Sequence, residues 1–230
     1  MLDIKKASYV ILNLMLNIDN ASLVNSLQSE IRVNDLIKSC LESIKNYPDE
    51  TVDEEVMTAC AEFIQLSVSN NKKNIDYVMQ NEGIQKIALQ LIIVLEELTQ
   101  DPESLGKDIL NTQVKLLEKL CLALQSQVQD NIVGQASIRE LNLLSPLLIY
   151  LSQAGPEVDK APQFAESTVH AAISLLSSSI DQNKETQDWI LENVKIFEIC
   201  SAFIHQRTSM KLAGSGCLLM SHLCGKNKNA

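Results

Sequence analysis

One layout recurs about every fifty residues along this sequence, and it narrows the choice of fold more than any other feature. Each of four stretches has a polar turn rich in Asn, a short helical segment, a brief break and a second apolar helical segment. They cover residues 17–44, 70–95, 127–151 and 179–204. The apolar residues that open the second segments, Val33, Ile84, Leu144 and Ile196, are separated by 51, 60 and 52 residues. A period of this size is typical of solenoids, whose units bury their apolar faces only against neighbouring units.

The recurring segments are predicted to be helices rather than strands. Leu, Ile, Val and Ala recur at intervals of three and four over residues 84–98 and 109–124, which is the spacing of a helix with one apolar face. The 230 residues include only 7 Gly and 5 Pro, and aromatic residues make up 4%. A β-sandwich or barrel needs more turn residues and more aromatic strand residues. The sequence therefore predicts an all-α protein.

Three segments between the helices have a composition of their own. Acidic runs at residues 49–55 and 101–104 precede apolar helices, and negative charge in a first helical turn offsets the helix dipole. We interpret these runs as helix starts, with an acidic docking patch as the alternative. Residues 154–162 hold two prolines and no helical period, so they predict an exposed loop.

The repeated order of short, medium and long helices resembles the three-helix layout of armadillo repeats. The segment NEGIQKI, from Asn81 to Ile87, is similar to the turn motif of that family, in which Gly is followed by an apolar residue, two spacers and Leu. Gly83 would allow a positive φ angle between two nearly perpendicular helices. The other breaks lack Gly. Asn142 and Asn193 tolerate the left-handed backbone region, whereas Arg32 adopts it only at an energetic cost.

The resemblance implies a right-handed α-solenoid of stacked three-helix repeats that forms one domain over residues 1–230. An incomplete repeat would cover residues 1–17, followed by repeats at about 18–69, 70–126, 127–181 and 182–225. A two-helix, HEAT-like arrangement is the structural alternative.

The resemblance also implies a binding surface. In armadillo proteins that bind extended peptides, Asn residues of the third helices form a ladder along the concave groove, with Trp one turn earlier. Carried over by position, the residues expected on the concave face are Tyr9, Asn13, Gln65, Leu122, Ser177 and His222. Only Asn13 matches the ladder, and Leu122 cannot hydrogen-bond a peptide backbone as an amide does. The face would therefore suit an amphipathic helix or a folded domain better than a stretched basic peptide; alternatively, Leu122 belongs to the core.

Charge and composition exclude several classes of partner. The chain has 19 basic and 29 acidic residues, a net charge of −10, whereas binding to nucleic acid requires a basic footprint. The sequence shows neither a secretory signal nor a membrane span. Its six Cys form no close pair, and we interpret them as reduced core residues. We expect a cytoplasmic or nuclear protein without a direct nucleic-acid or membrane partner.

No residue pattern in the sequence predicts catalysis, a metal or a cofactor. Cys217, His222 and Cys224 lack the close Cys pair of a structural zinc site. The run of Gly214, Ser215 and Gly216 lacks the Lys of a phosphate loop and the strand of a nucleophile elbow. We interpret that run as a place where two helices pack closely. The only Trp, Trp189, is expected to be a partly buried anchor, with an exposed interface residue as the alternative.

Taken together, these features predict a non-catalytic scaffold or adaptor that binds a partner protein along its concave face. An alternative is a regulator of a small GTPase, either an exchange factor or a chaperone-like armadillo protein, acting through the acidic residues 49–55. The sequence shows no polar capping helix at either end, so we also expect either flanking sequence missing from this chain or association into homo-oligomers through the ends.

Overall fold

The computed structural model describes residues 2–47, 53–100, 102, 105–158, 160–193, 195–205 and 209–224. All regular structure in these residues is helical: α1 (Leu2–Leu16), α2 (Ala21–Val33), α3 (Leu36–Lys45), α4 (Glu54–Val68), α5 (Lys72–Gln80), α6 (Gly83–Gln100), α7 (Lys107–Val128), α8 (Ile132–Glu140), α9 (Leu144–Glu157), α10 (Glu166–Ile180), α11 (Lys184–Asn193), α12 (Ile196–Ile204) and α13 (Met210–Cys224). A 3₁₀ turn, Pro162–Phe164, precedes α10. The prediction of an all-α chain is confirmed. None of the described helices combines the length and the apolar character needed to cross a bilayer.

After α1, the helices follow one another in triplets. We call α2, α5, α8 and α11 the first helices, α3, α6, α9 and α12 the second helices, and α4, α7, α10 and α13 the third helices. The third helices pack side by side in chain order, beginning with α1 against α4, and the second helices do the same from α3 to α12. Helices in extensive contact belong to the same triplet or to adjacent triplets. The chain is therefore an α-solenoid rather than a bundle around one central nucleus.

Each first helix begins at the same kind of cap. The side-chain oxygens of Asn20, Asn71, Asn131 and Asn183 accept hydrogen bonds of 3.1 to 3.2 Å from the backbone N–H three residues later. Asn is a strong N-capping residue because its oxygen satisfies one of the N–H groups that the first helical turn leaves unpaired. The four caps are separated by 51, 60 and 52 residues, so the polar turns mark the period of the repeat.

The turns between first and second helices use the left-handed backbone conformation, but not at the expected glycine. Asp35, Glu82 and Asn142 have φ angles of 56°, 58° and 56°, and no described glycine has a positive φ. Glycine is needed at position 83 because there is no room for a side chain: a Cβ would overlap Val78 Cγ1 and lie 2.9 Å from Val78 O. The prediction of a positive φ at Gly83 is therefore wrong by one residue, whereas Asn142 adopts the expected conformation.

The first of these turns also lies later than expected. α2 continues through Arg32 to Val33, which is 70% exposed, and the second helix begins only at Leu36. Arg32 remains helical and donates a hydrogen bond of 3.0 Å to Asn74 Oδ1 of the next triplet. The residues expected to open the other second helices, Ile84, Leu144 and Ile196, are buried at the starts of α6, α9 and α12.

Buried amides in the first helices hold the ends of the third helices together. Gln135 Nε2 donates to Ser178 O of α10 at 2.9 Å. Gln187 Nε2 donates to Ile180 O of α10 at 2.9 Å and to His222 O of α13 at 3.0 Å. The last turn of a helix leaves carbonyl groups without an intrahelical partner, and a buried unpaired carbonyl is costly. These amides therefore link adjacent triplets where the helices themselves cannot supply hydrogen bonds.

The predicted loop at residues 154–162 is wrong in its first part. α9 continues to Glu157, and Ala154 and Gly155 are buried. A Cβ added to Gly155 would lie 2.9 Å from the Cβ of Ala202 in α12. The absence of a side chain at Gly155 thus lets α9 approach α12 closely.

Candidate functional site

The third helices turn one side toward solvent, and we call this side the third-helix face. It is formed by the exposed and partly exposed side chains of α4, α7, α10 and α13, among them Glu62, Gln65, Leu122, Gln125, Ser174, Ser178, Leu218 and His222. In the second half of α4 and of α7, buried and partly exposed positions follow one another in the same order. Equivalent residues of successive third helices can therefore be matched by position.

Gln65 and Gln125 occupy equivalent positions on this face. Gln65 lies six residues before the capping Asn71, and Gln125 lies six residues before the capping Asn131. Both are partly exposed. Neither side-chain amide is hydrogen-bonded to another of the described residues. The third-helix face therefore presents two amides in adjacent repeats, each with a donor and an acceptor to offer.

Leu122, which the sequence placed in line with Gln65, lies one helical turn too early. Its equivalent in α4 is Glu62, six residues before Val68 as Leu122 is six residues before Val128. Leu122 is partly exposed and packs against the core, which the alternative interpretation expected. Gln125 was missed, and counting back from the capping Asn of the following repeat is the signal that identifies it.

The structure buries three of the residues expected on the face: Tyr9, Asn13 and Ser177. The ring centroid of Tyr9 lies 5.9 Å from that of Phe63, and burial raises the pKa of its hydroxyl. Asn13 Nδ2 donates a hydrogen bond of 3.1 Å to Glu62 Oε2. The expectation that these side chains are exposed is wrong. Tyr9 and Asn13 of α1 contact α4, and Ser177 of α10 is only 3% exposed.

Ser177 and His222 lie together at one end of the face. His222 Nδ1 is 3.1 Å from Ser177 O and 3.8 Å from Asp181 Oδ1. With Gln125 and Leu218, these residues line a cavity of 170 Å³. The buried Oγ of Ser177 has no hydrogen-bonding partner among the described residues. A buried polar atom of this kind usually has a partner, but this Oγ has almost no accessible surface and so is not presented to the cavity.

Two carboxylates of the third helices have partners on a neighbouring third helix. Lys119 Nζ lies 3.0 Å from Glu62 Oε1, and Ser167 Oγ donates a hydrogen bond of 2.7 Å to Glu118 Oε2. Ion pairs between partly exposed side chains contribute about 0–1 kcal/mol. Glu62 and Lys119 therefore offset each other's charge on this face.

A contact between His170 and Ser215 is the nearest approach to a catalytic pair, and the sequence did not reveal it. His170 Nδ1 lies 2.8 Å from Ser215 Oγ; burial, followed by the nearby charge of Lys211, lowers the pKa of His170. Ser215 lies inside α13, and its Oγ hydrogen-bonds to Lys211 O at 3.0 Å. Backbone N–H groups in a helix interior are already paired, so no oxyanion hole accompanies this serine.

The two glycines beside Ser215 differ in their surroundings. A Cβ on Gly216 would lie 3.1 Å from Ile204 Cγ1 and 3.3 Å from Cys200 O, whereas a Cβ on Gly214 would meet no atom within 4 Å. The interpretation of this run as a close-packing spot is therefore correct for Gly216 and wrong for Gly214.

The residues weighed as metal ligands and as an acidic patch have other surroundings. Cys217 and Cys224 are exposed, contrary to the expectation that all six Cys are core residues. In the described part of the chain, no group of three His, Cys, Asp or Glu side chains is placed to hold a metal ion. Of the acidic run at 49–55, residues 49–52 lie outside the described residues. Asp53 caps α4 by accepting a hydrogen bond of 2.9 Å from Val56 N. Glu54 accepts a hydrogen bond of 3.1 Å from Tyr47 Oη.

Comparison with known proteins gives a fold but no family. No protein-family model matches the sequence, and no curated protein matches it. Among solved structures, the chain is similar to a designed armadillo repeat protein, with a TM-score of 0.57 and 14% sequence identity over 94% of this chain and 82% of that chain. At this identity the likeness concerns the fold alone.

Proposed function

Because the chain has an armadillo-like repeat fold, which is typical of protein-interaction scaffolds, we propose that it is a non-catalytic adaptor that binds a segment of a partner protein along the third-helix face. Stacked repeats form an extended surface on which one partner can contact several units at once. The partner segment would cross α4, α7, α10 and α13 in turn.

The observation that carries this proposal is the pair of equivalent amides, Gln65 and Gln125, without partners among the described residues. An amide matches a peptide group of an extended segment, since each has one donor and one acceptor side. Leu122 argued against an extended segment only because it was assigned to the Asn-equivalent position, where its side chain cannot hydrogen-bond a peptide backbone. With Gln125 in that place, Leu122 and the half-exposed Leu218 become apolar contacts beside the amides.

Selection of peptide ligands tests this proposal. Linear peptides that bind the wild-type chain are selected from a displayed library, and their affinities are then measured for the double variant Gln65→Ala/Gln125→Ala. A hydrogen bond contributes about 0.5–1.5 kcal/mol, so losing two weakens binding by about 5- to 150-fold. Gln80→Ala/Gln85→Ala is the matched control, because both residues are exposed but lie on first and second helices. Equal affinities for wild type and Gln65→Ala/Gln125→Ala would contradict the proposal.

Other aspects of the function stay predictions. A cytoplasmic or nuclear location and the absence of a direct nucleic-acid or membrane partner rest on the sequence alone. Regulation of a small GTPase also rests on the acidic run 49–55, and a nucleotide-release assay against a panel of GTPases would detect it.

A further inference from the structure

Two carboxylates lie beside Tyr47, at the N-terminal end of the third helix α4. Tyr47 follows α3, and its Oη donates a hydrogen bond of 3.1 Å to Glu54 Oε1 in the first turn of α4. Glu97 lies nearby in the last turn of α6, where partial burial of its carboxyl, followed by the charge of Glu54, raises the pKa of Glu97. Neither Glu54 nor Glu97 takes part in an ion pair among the described residues. These two anions therefore have no cationic partner in the described part of the chain.

A buried amide reaches this pair of anions from the interior. Gln113 of α7 is 3% exposed, and its Nε2 donates a hydrogen bond of 3.4 Å to Tyr47 Oη, the atom that donates to Glu54. The Oε1 of Gln113 has no hydrogen-bonding partner among the described residues. Turning the amide over would not supply one, because Tyr47 Oη has already given its hydrogen to Glu54. Gln113 therefore adds an unpartnered acceptor beside the two anions.

A second buried amide fixes the backbone of Tyr47. Gln90 of α6 is 6% exposed, and its Nε2 donates a hydrogen bond of 3.3 Å to Tyr47 O. Its Oε1 likewise has no hydrogen-bonding partner among the described residues. Tyr47 is thus held by α6 through its backbone, and by α4 and α7 through its hydroxyl group. The folded chain therefore brings oxygen atoms of three helices to one place.

Unpaired carboxylates beside neutral oxygens suit a hard cation. Ca²⁺ binds carboxylate and amide oxygens at about 2.3–2.6 Å, in a flexible geometry that water completes. Mg²⁺ requires near-ideal octahedral geometry, which ligands from three separate helices do not readily supply. The set has only two carboxylates, so it differs from the groups of three His, Cys, Asp or Glu that are absent from the described residues. A bound cation would also remove the repulsion between Glu54 and Glu97.

We infer that Glu54, Glu97 and Gln113 form a Ca²⁺ site that joins α4, α6 and α7. The two carboxylates supply the charge, and the Oε1 of Gln113 supplies a neutral ligand. Tyr47 is a positioning residue, because it orients Glu54 and Gln113 as outer groups commonly orient metal ligands. Sites with few charged ligands bind Ca²⁺ weakly, and we expect a Kd of about 10⁻⁴–10⁻³ M. The inference does not depend on the function proposed for the third-helix face.

Two other occupants fit less well. A basic side chain of a partner could pair with the exposed Glu97, but it would not reach the Oε1 of Gln113, which has almost no accessible surface. Ca²⁺ needs less room, because it lies closer to its ligand oxygens than the about 2.8 Å of a hydrogen bond. A buried water would satisfy Gln113 but would leave the charges of Glu54 and Glu97 uncompensated.

Terbium luminescence provides the test, because Tb³⁺ takes the oxygen ligands of Ca²⁺ and emits light when a neighbouring aromatic ring is excited. Tyr47 contacts Glu54 and Gln113, whereas the only Trp, Trp189, lies in α11 of the last triplet. The full chain is titrated with Tb³⁺ in about 0.1 M KCl, which screens non-specific attraction to the net charge of −10. We expect saturation at one ion per chain, and displacement by Ca²⁺ at concentrations at least about tenfold lower than by Mg²⁺.

Two double variants separate the site from general negative charge. Glu54→Gln/Glu97→Gln should bind Tb³⁺ at least about tenfold more weakly, because affinity depends on the number of charged ligands. Glu55→Gln/Glu96→Gln is the matched control, since it removes two exposed carboxylates at the neighbouring positions of the same helices. It should bind within about twofold of wild type, because exposed charges at this salt concentration are largely screened. Exchanging carboxylates for amides of the same shape should leave the fold intact.

The variant Gln113→Leu tests the neutral ligand. It keeps the charge of the site and should weaken Tb³⁺ binding by about tenfold, whereas a merely acidic surface would bind as before. Equal affinities of the two double variants, unchanged binding by Gln113→Leu, or binding that does not saturate at one ion per chain would overturn the inference. Displacement of Tb³⁺ by a Lys-rich peptide but not by Ca²⁺ would also overturn it and assign the carboxylates to a basic partner.

Discussion

At the α3–α6 junction Lys86 Nζ lies 2.7 Å from Glu42 Oε1, and this ion pair joins the second helices of two adjacent triplets. At the α9–α12 junction the equivalent positions hold Glu198 and Ile149, and both line an apolar groove. Both junctions bury apolar residues on their inner side. The helices, their order and their core are therefore shared, while the outward positions vary. A repeat fold needs only its buried faces to stack, so the outward positions are free to carry different surfaces in different repeats.

A comparison of buried leucines at the two junctions should show the largest effect. Leu91 of α6 and Leu151 of α9 are equivalent and fully buried. Replacing either with Ala should lower the free energy of unfolding by about 2–5 kcal/mol, because a cavity remains. Leu89→Ala, at a position that is 54% exposed, should change it by less than about 0.5 kcal/mol. Urea unfolding measures all three; a much smaller loss for Leu151→Ala would mean that the two cores are not alike.

Adding a side chain where α9 packs closely against α12 should have the next largest effect on stability. Gly155→Ala adds a Cβ at 2.9 Å from the Cβ of Ala202, and overpacking typically costs about 1–3 kcal/mol. Gly214→Ala is the control in another helix, because its Cβ meets no atom within 4 Å. That change should raise stability by about 0.5–1 kcal/mol through helix propensity. Thermal unfolding distinguishes the two, and a stabilised Gly155→Ala variant would refute the close approach.

The ion pair at the α3–α6 junction should give the smallest effect, and one that depends on pH. The hydrogen bond and charge of Lys86 lower the pKa of Glu42 in the folded chain. The pair therefore stabilises the fold above the unfolded pKa of about 4.3, and this stabilisation is lost as the pH falls through the folded pKa. Because Glu42 is 44% exposed, Glu42→Gln should cost no more than about 1 kcal/mol at neutral pH.

Denaturant unfolding of wild type and Glu42→Gln at neutral and at acidic pH checks this prediction. The two free energies should converge on acidification. Glu198→Gln serves as the control at the other junction, since its carboxylate does not bridge two helices, and should stay within about 0.5 kcal/mol of wild type. A difference between wild type and Glu42→Gln that persists at acidic pH would contradict the role given to the pair.

Much of the architecture could be predicted because its signals are local. The helical period, the scarcity of Gly and Pro, and the recurring Asn turns each act within a few residues of where they are read. They predicted an all-α solenoid and the starts of three second helices at Ile84, Leu144 and Ile196. The turn at Asp35 was misplaced because the apolar Val33 was taken as the start of the second helix, whereas α2 continues to Val33 and α3 begins at Leu36.

The surfaces could be predicted much less well, because they depend on equivalence between distant segments. α7 has 22 residues and α4 has 15, so the two helices match only when counted back from their ends. The sequence comparison therefore took Leu122 instead of Gln125 as the equivalent of Gln65. The burial of Tyr9 and Ser177 depends on neighbouring helices that the sequence alone does not position. The α9–α12 groove emerges only when Ile149 and Glu198 are set against Glu42 and Lys86.

Hydrogen–deuterium exchange of wild type and Glu42→Gln tests the contrast between the two junctions most directly. Amide exchange reports local opening, so losing the pair of Glu42 and Lys86 should speed exchange in α3 and α6. It should leave exchange in α9 and α12 unchanged, because Ile149 and Glu198 stand at the equivalent positions there. Equal acceleration at both junctions, or no change in α3 and α6, would contradict the role given to the pair.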